Sequence, residues 1–148
     1  VVYGFGNSAT VCKDIETRFL RFGMAVQAFS DAHMQVTSAA LLSSDDVVIA
    51  ISHTGATKDI LASVTLAKKS GAKVIAITSY AQSELARTAD IALVGMGREV
   101  HYRSEAAASR LIHMAIGDIL YTCLAMKMPE RYQENLQKMR EVIAERRL

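Results

Sequence analysis

Two short segments hold most of the residues in this sequence that could do chemistry. One reads Gly4-Phe5-Gly6-Asn7-Ser8-Ala9 and the other Ser52-His53-Thr54-Gly55-Ala56-Thr57. Glycines let the backbone approach a ligand closely, and the free N–H groups at the start of a following helix attract an anion. The first segment matches Gly-x-Gly-x-x-Ala, the pattern of a dinucleotide loop. Asp31 lies about twenty residues on, where an acid that binds a ribose would sit. Asp31 serves equally well as the cap of the helix that follows it. The second segment packs three hydroxyls and a glycine into six residues. A phosphate monoester has several oxygens seeking donors. Hydroxyls and helix N-terminal amides supply those donors without a lysine, because the helix dipole offsets part of the charge. Capping and turn formation would account for one such hydroxyl. Three of them beside a second Gly-Ser loop favour an anion site. A dinucleotide has its pyrophosphate held by one loop, so two hydroxyl loops suit a single terminal phosphate better.

Other candidates are sparser. Thr78-Ser79-Tyr80 offers polar groups toward the rest of such a ligand. In Arg103-Ser104-Glu105-Ala106-Ala107-Ala108-Ser109-Arg110, Glu105 and Ser109 are four apart and share a helical face. A carboxylate there could move a proton between adjacent sugar carbons, as an aldose–ketose isomerase requires, or simply suit the first turn of a helix. His33, His53, His101 and His113 show no metal-ligand spacing with the cysteines, so no metal is expected. His53 alone among them falls in a candidate loop. The other three read as surface or interface residues.

These residues need elements to place them. Strand-length apolar runs at 1–5, 24–29, 46–51, 73–78 and 91–94 alternate with helical patterns at 9–22, 32–42, 57–70, 84–87 and about 104–126. A last helix runs from Pro129 to about 147, with Leu136, Met139 and Ile143 on its apolar stripe. Gly23 and Gly71 suit left-handed helix ends, and Asp31 suits a cap. The long helix sets Leu111, Ala115, Ile119 and Cys123 in register. This alternation means βαβ units and a parallel sheet covered on both faces, with ligands bound beyond the carboxyl ends of its strands. The two last helices supply more apolar stripe than one sheet face covers, which predicts a homo-oligomer.

Composition agrees with that class. The chain has 148 residues, 51% of them hydrophobic and 22% charged, and a net charge of +2. That suits one folded domain over 1–148 and excludes disorder. No apolar run approaches the roughly 18 residues of a membrane span. Residues 127–148 hold six basic and four acidic side chains, so the whole positive excess sits there. A stand-alone nucleic-acid binder would carry a marked basic excess. Cys12 and Cys123 read as buried thiols in a reducing compartment, the cytoplasm. The chain opens inside a strand without an initiator Met, and a neighbouring N-terminal domain is expected to be missing.

Gly4-x-Gly6-x-Ser8, Ser52-x-Thr54-Gly55-x-Thr57 and Asp90 before the fifth strand together resemble a sugar isomerase (SIS) domain, over essentially the whole chain. Asp31-x-His33, Ile75-Ala76-Ile77-Thr78, Ser83-x-Leu85-Ala86-x-x-Ala89-Asp90 and Ser109-Arg110-Leu111 look like the phosphosugar-sensing domain of RpiR-type bacterial transcription regulators. The resemblance implies a flavodoxin-like three-layer αβα sandwich with a five-stranded parallel sheet, no cofactor, a sugar-phosphate ligand and a homodimer or larger homo-oligomer. It also implies that DNA is contacted only through a helix-turn-helix domain preceding this one. Carried over by residue, Ser8, Ser52, Thr54 and Thr57 would hold the phosphate, with contacts from Asn7 and His53. Many members have Ser at the position of Thr54 and Glu at that of Ala56. For an isomerase only Glu105 could carry the proton, and the Ser109-Arg110 pair looks like the regulator branch.

Overall fold

The computed structural model describes residues 1–99 and 106–146. Its centre is built by two runs rich in β-branched residues, β3 (Val47–Ile51) and β4 (Lys73–Thr78), paired in parallel from Val47 opposite Lys73 to Ile51 opposite Ile77. Such runs are near-continuously apolar because both faces of a parallel sheet are covered. Three shorter strands, β1 (Val2–Tyr3), β2 (Ala28–Phe29) and β5 (Ile91–Val94), complete a five-stranded sheet in the order β2-β1-β3-β4-β5. Every pair is parallel. The helices are α1 (Asn7–Phe19), α2 (Ala32–Ala40), α3 (Lys58–Lys69), α4 (Glu84–Thr88), α5 (Ala107–Lys127) and α6 (Pro129–Ala144). Among the described residues no single helix is long and apolar enough to cross a membrane.

Alternate side chains of β3 and β4 feed two cores. Val48, Ala50, Val74 and Ala76 cluster with Ala39 of α2, Ile60, Val64 and Ala67 of α3, and Leu85 of α4. Ile49, Ile51 and Ile77 point the other way, onto Val11, Cys12 and Ile15 of α1, with Met114, Ile116 and Leu120 of α5 beside them. Each fully buried aliphatic side chain contributes about 1.5–3 kcal/mol. Helices α1 and α3 thus leave the adjacent strands β1 and β3 on opposite faces. In this strand order the chain reverses direction across the sheet between β1 and β3, which opens a crevice at their carboxyl ends.

Local signals behave as their chemistry dictates at most boundaries. Gly23 and Gly71 have φ of 67° and 99°. The Asp31 carboxylate accepts from the Met34 amide at 2.9 Å, so it caps α2. Three expectations change. The strand expected over 24–29 shrinks to Ala28–Phe29, because its register sets Ala28 opposite Val2 and leaves residues 24–26 with no partner in the ladder. The long helix is also rotated from the expected register. Its buried residues are Ser109, His113, Gly117 and Tyr121, while Leu111 and Ile119 are 58% and 61% exposed. The reason is close packing on α1, where a Cβ on Gly117 would lie 2.9 Å from Ile15 Cγ1. Cys123 on that outer side is exposed, and only Cys12 is buried. Helix α6 meets α5 at 108° and has no buried residue, its Tyr132 hydroxyl accepting from that of Tyr121 at 3.0 Å.

Candidate functional site

The crevice at the β1/β3 ends holds a cavity of about 240 Å³. Asn7, Ser8, Ser52, His53, Thr54 and Thr57 all line it. Sequence reasoning placed these six in two separate loops, and the strand order brings the loops together. Ser109 is not among them. It is fully buried at the start of α5, where its hydroxyl donates to Glu99 Oε1 at 2.8 Å and accepts from the Gly97 amide at 3.2 Å. Glu105 lies outside the described residues, as does His101.

The first loop needs glycine for space. A Cβ on Gly4 would lie 2.6 Å from Cys12 Sγ and 3.2 Å from the Ile51 carbonyl oxygen, so Gly4 lets β1 enter α1 against β3. The same burial pushes the Cys12 thiol up to about 12. The Gly6 position capping α1 has φ of 52°, and no side chain caps that helix.

The second loop is held from below. Gly55 has φ of 63°, and its carbonyl accepts from the Leu85 amide at 2.9 Å. The Ser52 hydroxyl accepts from the Gly55 amide at 3.1 Å and lies 3.2 Å from Thr57 Oγ1. Thr54 Oγ1 accepts from the Ala56 amide at 3.3 Å. Thr57 stands at the N-cap of α3, yet its hydroxyl makes no capping bond. Simple capping therefore does not account for this hydroxyl, and the positive end of α3 faces the loop without a side-chain acceptor. Among the described residues that line the cavity, none is Lys, Arg, Asp or Glu.

Four further residues matter here: Ser79 and Tyr80, expected only to offer polar groups toward the rest of a ligand, and His113 and Glu99, which the sequence did not mark as site residues. Ser79, at the end of β4, has its hydroxyl 2.8 Å from His53 Nδ1, and the Tyr80 ring centroid lies 5.5 Å from that of His53. His113 of α5, expected at the surface or an interface, is 2% exposed, with Nε2 3.2 Å from Ser79 Oγ and 3.1 Å from the Gly95 carbonyl. Burial, opposed in part by the Gly95 bond, holds its pKa below the usual histidine range. Glu99 caps α5 by accepting from the Ala108 and Ser109 amides at 3.1 and 2.9 Å. Those bonds hold its carboxyl below the usual carboxylate range. The contacts join residues 26 and 34 apart, so only their residue types, a polar pair at a strand end and a histidine four beyond Ser109, were visible beforehand.

Chemically, the arrangement offers hydroxyls, an imidazole and two helix starts to an anionic group, with Phe5 and Ile60 as apolar walls. A family model for the SIS domain matches residues 1–127. The chain is 37% identical over 137 residues to the HTH-type transcriptional regulator RpiR of Escherichia coli K12, covering 93% of this chain and 46% of that one. It is 39% identical over 125 residues to the bifunctional protein glk of Paraburkholderia xenovorans, covering 84% of this chain and 19% of that one. Among solved structures, the Vibrio vulnificus NanR protein complexed with ManNAc-6P superposes with a TM-score of 0.89 at 28% identity, over 99% of this chain and 55% of that one. The sugar isomerase domain of an RpiR transcription factor from Sphaerobacter thermophilus shares the fold, with a TM-score of 0.82 at 24% identity over 95% of this chain and 76% of that one. The chain spans about half the length, or less, of the curated relatives it matches.

Proposed function

The chain belongs to the SIS domain family, and from that membership we propose that it is the effector-sensing domain of an RpiR-type transcription regulator, binding a sugar phosphate in the β1/β3 cavity. The observation that carries this reading is the convergence of two hydroxyl loops at the switch point, with Thr57 at a helix start but not used as its cap. The phosphate sits against Ser8, Ser52, Thr54 and Thr57, and Asn7 and His53 contact it or the sugar. Similarity to regulators named for a helix-turn-helix, and to NanR complexed with ManNAc-6P, supports the role. Residues 1–148 act as one SIS unit, DNA is contacted by a helix-turn-helix domain of the full protein, and the protein works in the cytoplasm without a cofactor. A second copy of the chain covers the outer face of α5. Sensing requires that the ligand bind two states of the protein unequally. The isomerase reading rests on Glu105, and no contact among the described residues favours it.

A thermal-shift screen against pentose 5-phosphates and hexose 6-phosphates, ManNAc-6P included, tests the site. A ligand at a hundred times its Kd adds about 2.7 kcal/mol to stability. Ser52→Ala with Thr54→Ala is expected to abolish the stabilisation. Full stabilisation of the double variant would remove the assignment of this loop.

A further inference from the structure

A phosphate dianion entering this cavity meets walls with no Lys or Arg among the described residues, and His53 is the one lining side chain there able to become a cation. Behind His53 lies a closed set of hydrogen bonds. Its Nδ1 is 2.8 Å from Ser79 Oγ, which lies 3.1 Å from the Gly95 carbonyl oxygen and 3.2 Å from His113 Nε2. His113 Nε2 is also 3.1 Å from the Gly95 carbonyl.

The hydrogens in this set can be assigned by elimination. The Gly95 carbonyl only accepts, so His113 carries its hydrogen on Nε2. That ring is 2% exposed, and burial favours its neutral form. Ser79 then has one hydrogen and two acceptors to choose between, the Gly95 carbonyl and His53 Nδ1. Given to His53, the hydrogen makes Ser79 the donor and leaves Nε2 of His53 as the only protonated ring atom. Given to Gly95, it leaves Ser79 Oγ free to accept from His53 Nδ1–H. His53 can then hold a second hydrogen on Nε2. Rotation of one hydroxyl thus converts the ring's support from a donor to an acceptor. No bond made by His53 Nε2 appears among the described contacts. The other titratable groups around the ring, among the described residues, are Tyr80 after β4, Glu99 after β5 and His113 on α5. Of these, only Glu99 is a carboxylate.

We propose that Ser79 and His113 are positioning residues that let His53 hold the phosphate as an imidazolium, so that the ligand enters as the dianion and the protein takes up one proton from solvent. This rests on the phosphosugar reading of the cavity. The one bond formed is an N–H on the His53 ring, its proton coming from hydronium or a buffer acid, which is left as water or the buffer base, while Ser79 turns its hydrogen to Gly95. His113, kept neutral beneath, prevents a second positive charge from opposing the first.

The test is titration calorimetry at pH 8 with the tightest-binding sugar phosphate of the panel, in two buffers of different ionisation enthalpy. At that pH a phosphate ester, with its second pKa near 6, is fully ionised and releases no proton of its own. The expected result is a buffer-dependent heat equal to about one proton taken up per site. His53→Gln is expected to bind with the same heat in both buffers. Ser79→Ala is expected to lose more than about half the uptake and roughly tenfold in affinity, the scale of one charge-assisted hydrogen bond. Ser79→Thr, which keeps the hydroxyl, is expected to restore both. Wild-type binding with equal heats in the two buffers overturns the proposal and leaves the phosphosugar reading standing. Unchanged uptake in His53→Gln or in Ser79→Ala also overturns it. Failure of every panel member to bind the wild-type chain overturns the phosphosugar reading itself.

Discussion

At Gly55 backbone conformation and packing coincide. The residue has φ of 63°, and a Cβ there would lie 2.3 Å from Ser83 Oγ and 2.9 Å from Thr78 Oγ1. An L-residue in that region costs about 1–2 kcal/mol, and forced contact in a packed site adds about 1–3 kcal/mol. Gly55→Ala is therefore expected to lower stability by roughly 2–5 kcal/mol, read as a lower Tm and weaker sugar-phosphate binding. A Tm within a degree of wild type would show that the loop is not held as described. The hydroxyls around this glycine were legible because Ser, Thr and Gly at the end of an apolar strand have few other uses. The partners of His53 were not. Ser79 and His113 reach it from a different strand and a different helix, and a period-four histidine carries no mark of which side its helix will bury.

Helix α5 shows what an element-level reading captures and where it stops. Its length and its end near Lys127 follow from a long apolar pattern broken before Pro129. Its face does not follow, because hydrophobicity marks Leu111, Ala115, Ile119 and Cys123, whereas the sheet accepts the narrower side through Gly117 and satisfies Ser109 and His113 with loop groups. The strands β4 and β5 have the expected bounds, whereas the length of β2 is set by its pairing with β1 rather than by propensity. The start of α5 depends on Glu99, which accepts two of its first amides. A carboxyl whose folded pKa is depressed stabilises above the unfolded value of about 4.3 and loses that contribution as pH falls through the lower folded value. Glu99→Gln is expected to reduce thermal stability at pH 7 and to approach wild type as pH falls through the depressed folded value of Glu99, where both side chains become neutral. An equal deficit at both pH values would mean that shape, not charge, is what Glu99 supplies.

On the scale of the whole molecule, the sheet order explains the place of the cavity, and the proposed anion contacts fit the near-neutral charge. An anion held by hydroxyls and helix starts leaves no basic signature in the composition, and the +2 of the chain resides beyond the cavity, in 127–148. The same frame leaves one face unfinished. Leu111 and Ile119 on α5 and Met126 near its end are 58%, 61% and 77% exposed, with Val142 and Ile143 of α6 also exposed. We propose that this patch, whose outer stripe from Leu111 to Cys123 carries no charge, pairs with the same patch of a second copy across a two-fold axis. Sedimentation is expected to show at least a dimer at micromolar concentration and a monomer for Ile119→Glu, with the fold retained because Ile119 contributes little to either core. A monomeric wild-type chain would remove the proposed interface.

The two thiols divide along the same line. Cys12 lies in the core with its pKa pushed up to about 12, so it holds almost no thiolate at neutral pH. Cys123 stands exposed on the outer side of α5. The folded chain therefore carries a single alkylatable handle, placed by its own sequence on the surface where a second copy is proposed to sit. A maleimide dye will modify that position alone, and the rate at which it does so reads out directly whether the face is open or covered.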